Sequence, residues 1–280
     1  MLRLLQIEFI KLKNSRASKV LIITYFFLLS SIALVASIKF NYSWLKLNVS
    51  EQGIFNFPFI WHFNSYFMAW FKIFLLLVIV SMITSEYSNK TIKQNLIDGL
   101  SKKEFILSKF LIIVAFSAMS TVFLFVISLI QGMLYSDITE LNLVFSDLEY
   151  LLAFFVKLVG FFSFGLFLGV LTKRSAFALG ALGVWAIVEN ILYALLRWKI
   201  FPDSDLYKQI SQFFPLKAIG NLIEQPITRF KTVKAMAKSG NAKELLNFDY
   251  EIHWYQIAIV LVWTVIFIYA SYKLILKRDL

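Results

Sequence analysis

Long apolar runs, separated by short polar segments, dominate the chain. Six of these runs approach or exceed the roughly 20 residues that a helix needs to cross a bilayer. They lie at about residues 20–38, 66–84, 105–135, 151–171, 175–196 and 255–276. The pattern therefore predicts an all-α integral membrane protein with six transmembrane helices.

The composition supports this class and excludes several others. Hydrophobic residues make up 59% of the chain and charged residues 16%, against roughly a quarter charged in ordinary soluble domains. A disordered protein and a typical soluble enzyme are therefore excluded. The chain has no cysteine and two histidines, which excludes disulfides, thiolate chemistry and histidine-rich metal sites.

The basic residues predict the orientation. Segments 1–19, 85–104 and 172–174 and the carboxyl-terminal tail carry five, four, two and three Lys or Arg, whereas loop 136–150 carries none. Since short cytoplasmic loops are enriched in basic residues, both termini are expected in the cytoplasm, in a multi-pass protein of the inner membrane. The net charge of +11 is thus chiefly a topology signal, and no nucleic-acid partner is expected.

The predicted outer side carries a long loop and a set of aromatic residues. Loop 197–254 is expected to be extracellular, because long loops escape the charge rule. Its part 225–250 is either an extra solvated piece or a contact for substrate, lipid headgroups or an accessory protein. The pairs Trp61-His62 and His253-Trp254 are expected at the outer membrane boundary.

The amino-terminal segment 1–19 has a helical pattern of its own. Leu2, Leu5, Phe9 and Leu12 recur at helical spacing among basic residues. The pattern fits an amphipathic helix in the inner interface and equally a simple positive anchor before the first span.

The cytoplasmic loop 85–104 shows a short helix followed by a sharp break. Ile92, Leu96 and Leu100 recur every four residues, and Gly99 can end the helix in the left-handed conformation. Ser101 and Glu104 then form a capping-box pattern that opens the third span. A capped helix in this place is a surface on which a soluble partner could act.

At this point the sequence resembles the membrane subunit of an ABC-2 type ABC transporter. The family's loop pattern is a Glu, a Thr, an apolar helix, a Ser followed by a basic residue, and a Lys in the next helix. These positions are matched by Glu86, Thr91, Leu96-Ile97, Ser101-Lys102 and Lys109. The chain departs from the pattern where Lys90 replaces a usual Gly and Leu100 a usual Pro.

The resemblance implies a full architecture. Residues 1–19 would be an interfacial elbow helix and residues 20–280 the six-span domain, with a coupling helix in loop 85–104 and short re-entrant helices before the last span. Two permease subunits would pair with two cytoplasmic ABC ATPases, and export is the implied direction. The implied ATPase-coupling residues are Glu86, Thr91, Ile92, Leu96, Ile97, Leu100, Ser101 and Lys102.

The chain is not expected to be an enzyme. It contains no G-x-x-x-x-G-K-[ST] run for phosphate, so it should bind no cofactor and ATP-Mg should sit on the partner ATPase. An ATP-independent secondary transporter or channel is the alternative, although no inverted repeat is evident. An intramembrane enzyme would need a nucleophile or metal constellation, which the sequence lacks. Lipid-linked glycans, peptides, drugs and ions all stay open as substrates, and membrane lipid is an expected partner.

Three charged residues fall inside predicted spans, where charge usually marks function or pairing. Lys72, Lys157 and Glu189 all lie toward the outer side. One hypothesis pairs Glu189 with Lys157 or Lys72 along a substrate pathway. The alternative is that the lysines snorkel to the headgroups and Glu189 is structural. Gly165 and Gly169 allow close helix packing, within the subunit or at a dimer seam.

Overall fold

The protein is described by a computed structural model. It covers residues 2–35, 39–42, 45–48, 53–137, 140–202, 204–230, 233 and 250–278. The helices are α1 Leu2–Asn14, α2 Arg16–Val35, α3 Phe59–Met68, α4 Lys72–Ser88, α5 Thr91–Ile97, α6 Lys102–Tyr135, α7 Leu141–Val144, α8 Glu149–Thr172, α9 Ser175–Leu195, α10 Leu206–Ser211, α11 Pro215–Asn221 and α12 Trp254–Leu276.

The apolar runs form the long helices that their length requires. Among the described residues, five helical stretches are long and apolar enough to cross a membrane, and they carry the second to sixth predicted runs. The predicted run 20–38 begins within α2 and ends on residues 36–38, which lie outside the described residues. The helical membrane fold is therefore confirmed.

One boundary differs clearly from the prediction. The second apolar helix begins at Phe59 rather than near residue 66, because α3 continues through the 3₁₀ turn Ala69–Phe71 into α4. The segment after α2 also contains a short antiparallel hairpin, in which β1 Lys39–Tyr42 pairs with β2 Leu45–Asn48 in the register Lys39↔Asn48. Four-residue strands carry too little alternation to be recognised in sequence.

Helix α8 lies at the centre of the bundle. In its stretch of the chain 78% of the most apolar window is buried, and it packs against α4, α6 and α12. A helix that is apolar on all sides is suited to this central place. Phe164 of α8 stacks on Phe267 of α12 with ring centroids 4.6 Å apart, which fixes the last helix against the centre.

Small residues bring α8 close to its neighbours. A side chain added at Gly165 would collide with Leu76, and one at Gly169 with Ile83, both on α4. The predicted glycine stripe of this helix therefore serves packing inside the subunit.

Trp61 and His62, the pair predicted at the outer membrane boundary, lie in the first turn of α3, at the start of a membrane-crossing stretch. Both are fully buried in α3, where the Trp61 indole N–H donates to the Val144 carbonyl at 2.9 Å and His62 Nε2 lies 2.7 Å from the Glu224 carbonyl oxygen. Both side chains therefore pack inside the protein and not on its surface. Most of the predicted outer piece 225–250 lies outside the described residues.

Candidate functional site

The turn between α4 and α6 is held by local backbone features. Lys90, just before α5, adopts a left-handed conformation with φ 56°. At the other end, Gly99 has φ 95°, its N–H donates to the Leu96 carbonyl and the Leu100 N–H donates to the Asn95 carbonyl. This pair of bonds is the Schellman motif that ends helices at a left-handed residue, so the predicted break at Gly99 is confirmed.

Helix α6 then opens with the predicted capping box. The Ser101 hydroxyl accepts from the Glu104 N–H at 3.1 Å, and the Glu104 carboxylate accepts from the Ser101 N–H at 2.9 Å. The two bonds satisfy donors that the first turn of a helix otherwise leaves free. The Schellman motif therefore fixes where α5 ends, and the capping box fixes where α6 begins.

A buried ion cluster lies behind this turn and joins three helices. Lys109 of α6 donates to Glu8 of α1 at 2.6 Å and also to Glu86 of α4. Lys11 of α1 reaches the same two carboxylates, at 3.2 Å from Glu8 and 3.0 Å from Glu86. We call Glu8, Lys11, Glu86 and Lys109 the inner cluster.

The inner cluster is also tied to α5. The Asn95 amide donates to the Glu86 carboxylate at 3.5 Å, and the Thr91 hydroxyl donates to the Glu86 carbonyl at 3.4 Å. Glu86 thus contacts α1, α5 and α6 at once. A displacement of α5 would act directly on this carboxylate and its partners.

Burial makes the balance of charge in the inner cluster important. Lys109 is fully buried, Glu8 is 3% exposed and Glu86 5% exposed. An isolated buried charge is costly, and a pair with good geometry offsets that cost. Burial lowers the pKa of Lys11, but the Glu86 and Glu8 carboxylates outweigh it and raise that pKa above its ordinary value. Two carboxylates and two ammonium groups therefore balance.

The apolar residues predicted on α5 divide between its two faces. Ile92 is buried, and Leu96 and Leu100 are partly buried against the core. Ile97 is 83% exposed, and Lys93 is exposed beside it. Helix α5 thus carries an exposed apolar side chain on the face turned away from the bundle.

Lys102 lies at a joint between the first turn of α6 and the end of α12. Its ammonium group donates to the Leu276 carbonyl at 3.4 Å and the Arg278 carbonyl at 3.1 Å. A cation at a helix carboxyl end satisfies free carbonyls and the helix dipole. Arg278 in turn donates to the Leu171 carbonyl at the end of α8 at 3.0 Å. The loop is therefore linked to two further spans.

Glu189 and Lys157 both act on the short helix α11. The Glu189 carboxylate accepts from the N–H groups of Leu216 and Lys217, each at 3.0 Å. Lys157 donates to the Gly220 carbonyl at the other end, at 2.9 Å. An anion at the amino end and a cation at the carboxyl end both suit the helix dipole. We call this arrangement the outer clamp.

The hypothesis that Glu189 pairs with Lys157 or Lys72 is therefore wrong. Among the described residues Glu189 forms no ion pair with either lysine, and its other bond is from the Trp185 indole N–H at 2.6 Å. The free N–H groups at the start of α11 are better placed donors. Lys72 instead lies over the Phe161 ring, 4.5 Å from its centroid.

Glu8 and Lys11 were not among the site residues predicted from the sequence. A signal was present, since Glu8 is the sole acidic residue in segment 1–19 and falls between Leu5 and Leu12 on the apolar face. An acid on the buried face of an amphipathic helix requires a basic partner. Which partner it meets depends on the fold, because Lys109 lies 101 positions away.

The bundle of long apolar helices defines the chain as a multi-pass integral membrane protein. The family model described as ABC-2 family transporter protein matches residues 4–189, two thirds of the chain. The chain therefore belongs to this family and is an ABC-2 type permease, a class that works with an ABC ATPase. The matched range contains the whole inner cluster. No curated protein matches the chain.

Proposed function

We propose that the chain is the six-span permease subunit of an ATP-driven exporter, with both termini in the cytoplasm and α5 as the contact for a separate ABC ATPase. The observation that carries the proposal is the inner cluster. In it, the Glu86 carboxylate accepts from the Asn95 amide of α5. Ion pairs then connect this carboxylate of α4 to α1 and α6. Motion imposed on α5 would therefore be passed to the spans instead of being absorbed in a loose loop.

In this proposal α5 is the coupling helix and α1 the elbow helix. The exposed Ile97 fits an apolar hollow on the ATPase, while Lys102 carries the movement to α12 through its bonds to the Leu276 and Arg278 carbonyls. ATP-Mg binds and is hydrolysed on the partner, because this chain has no phosphate-binding loop.

The test is co-purification with the ATPase from native membranes, followed by ATPase measurement in vesicles. The Ile97→Asp variant should lose the ATPase, because a charge replaces the apolar contact. Leu141→Asp is the matched control, since Leu141 is 74% exposed beyond the other end of α6. Retention of the ATPase by Ile97→Asp, or transport by the chain alone, would contradict the proposal and favour a gradient-driven transporter.

We further propose that a second permease subunit packs on α9. Only 6% of its most apolar window is buried, the lowest value among the five membrane-crossing stretches in the described parts of the chain. Gly180 and Gly183 have open space beside them, which allows close approach of another helix. Asn190 is exposed on the same helix; its amide nitrogen donates to the Ala186 carbonyl at 2.8 Å, and its remaining polar surface is costly against lipid.

Cysteine cross-linking tests this pairing, because the natural chain has no cysteine. Gly183→Cys should give a cross-linked dimer in membranes. Val122→Cys, an exposed position on α6 (61%), should not. A dimer seam on α6, shown by the reverse result, would remove the argument from α9.

A further inference from the structure

An apolar groove runs between α6 and α12 near the ends that Lys102 joins. Its volume is about 400 Å³, within the range of roughly 300–1,000 Å³ typical of small-molecule sites. The groove is lined by Ile106, Phe110, Val265 and Ile268. Thr264 also lines the groove, but its hydroxyl donates to the Val260 carbonyl at 2.8 Å. This hydroxyl therefore needs no hydrogen-bond partner from a ligand.

The end of the groove near the α6 amino terminus is basic. Lys103 lines it, and the Lys273 ammonium lies 5.4 Å from the centroid of the Tyr269 ring, which lines the groove too. Among the described residues neither lysine forms an ion pair. One lysine of α6 thus lines the groove, and one lysine of α12 lies against a ring that lines it, both without an ion pair in the described part of the chain.

We propose that this groove binds an anionic phospholipid, with an acyl chain between α6 and α12 and the phosphate between Lys103 and Lys273. Charge complementarity selects this occupant, because an apolar helix of another chain would leave both cations unmatched. Basic pockets between spans on the cytoplasmic side bind anionic headgroups. The choice of the inner leaflet rests on the proposed orientation, whereas the binding site itself does not.

The bound lipid would brace α6 against α12 beside the Lys102 joint. Lys102 already connects the two helices through backbone carbonyls. A lipid that fills the adjacent groove would hold them at the same spacing. The coupling of α5 to the last span would then depend on the anionic lipid content of the membrane.

Native mass spectrometry of the full chain in detergent tests the proposal. The probes are phosphatidylglycerol and phosphatidylcholine with identical acyl chains. We expect one tightly bound phosphatidylglycerol per chain, and a loss of affinity of about fivefold for each of Lys103→Ala and Lys273→Ala. Lys173→Ala, which removes an exposed lysine from another loop of the same side, should bind as the natural chain does.

A groove-filling variant locates the lipid independently of charge. Val265 is 67% exposed, so Val265→Trp fills the groove without disturbing the core, and it should abolish the tight site. Equal binding of both lipids, or full binding by the double lysine variant or by Val265→Trp, would overturn the proposal. So would a disulfide between two chains at Val265→Cys, since a second copy would then cover the groove. None of these results depends on the ATPase.

Discussion

The inner cluster and the outer clamp both bury charge, but they satisfy it in different ways. In the inner cluster, carboxylates of α1 and α4 form ion pairs with ammonium groups of α1 and α6. In the outer clamp, Glu189 and Lys157 meet backbone groups at the two ends of one short helix. The inner cluster thus balances ionised side chains against each other. The outer clamp instead sets ionised side chains against the partial charges of backbone N–H and carbonyl groups.

This difference separates two mechanical roles. Each ion of the inner cluster depends on opposite charges held by other helices, so a shift of one helix changes the electrostatic energy of all of them. The outer clamp depends on backbone groups at the two ends of a single helix, α11. Its contacts therefore persist as long as α11 keeps its position. The inner cluster therefore suits the transmission of motion, and the outer clamp suits the fixing of α11 in place.

The largest expected effect is the loss of the central cation of the inner cluster. Lys109→Met leaves Glu8 and Glu86 buried with only the half-exposed Lys11 for both. Breaking a buried ion pair from one side costs about 3–5 kcal/mol. The variant should show a large drop in thermal unfolding temperature in detergent, or fail to accumulate.

A compensating variant separates charge imbalance from lost packing. The double variant Glu8→Gln/Lys109→Met keeps one carboxylate and one ammonium group, so it should recover a large part of the stability. Lys13→Met, at an exposed position of α1, should change little. If the double variant is as unstable as Lys109→Met, the charge balance does not govern this site.

The outer clamp should respond less to the loss of its anion. Glu189→Ala removes the acceptor for the Leu216 and Lys217 N–H groups, and a buried donor left without a partner costs about 1–3 kcal/mol. Glu189→Gln keeps one oxygen acceptor and should lose less. Thermal unfolding measures both, with Glu140→Ala as the control, since Glu140 is exposed and its side chain caps no helix.

The comparison predicts a specific pattern of failure for the clamp. Protease sensitivity near α11 should rise in Glu189→Ala, while co-purification with the proposed ATPase partner should stay unchanged. An equal loss of stability in Glu189→Gln and Glu189→Ala would show that the charge, and not the accepted hydrogen bonds, holds α11. The clamp would then resemble the inner cluster.

Local features of the site could be predicted from the sequence, and distant ones could not. The stop at Gly99 and the box of Ser101 and Glu104 involve residues within a few positions of each other, so their chemistry is readable directly. The partners of Glu8 and Glu189 lie 101 and 27 positions away. Which helix faces which is decided by packing around α8, and no spacing rule contains that information.

The same limit explains the fold. Apolar runs predicted the long helices, because length and hydropathy are properties of each segment alone. The burial of His62 follows from α3 beginning at Phe59 and from the approach of Glu224. Both depend on contacts between distant segments.

A smaller effect, a gain in stability instead of a loss, is expected at the residue just before α5. Lys90 holds a left-handed conformation that costs a residue other than glycine roughly 1–2 kcal/mol. Lys90→Gly removes this strain but adds freedom to the unfolded chain, so we expect a net gain of about 0.5–1 kcal/mol. A higher unfolding temperature measures it, with exposed Lys93→Gly, inside α5, expected to lower stability. A fall in Lys90→Gly would mean that the lysine side chain itself stabilises the turn.

The smallest effect is expected at the rim of the inner cluster. Lys11 is 38% exposed in its side chain, so solvent screens its pairs and Lys11→Met should cost only about 0.2–1 kcal/mol. Because its folded pKa is raised above the ordinary 10.5, its contribution is fully present below that pH and is lost as the pH rises through the folded pKa. The stability difference between the natural chain and Lys11→Met should therefore be constant near neutral pH and shrink above about pH 10.5. Exposed Lys13→Met should show no such difference. A loss in Lys11→Met as large as that in Lys109→Met would mean that the rim is as desolvated as the centre, because only burial separates two lysines that contact the same pair of carboxylates.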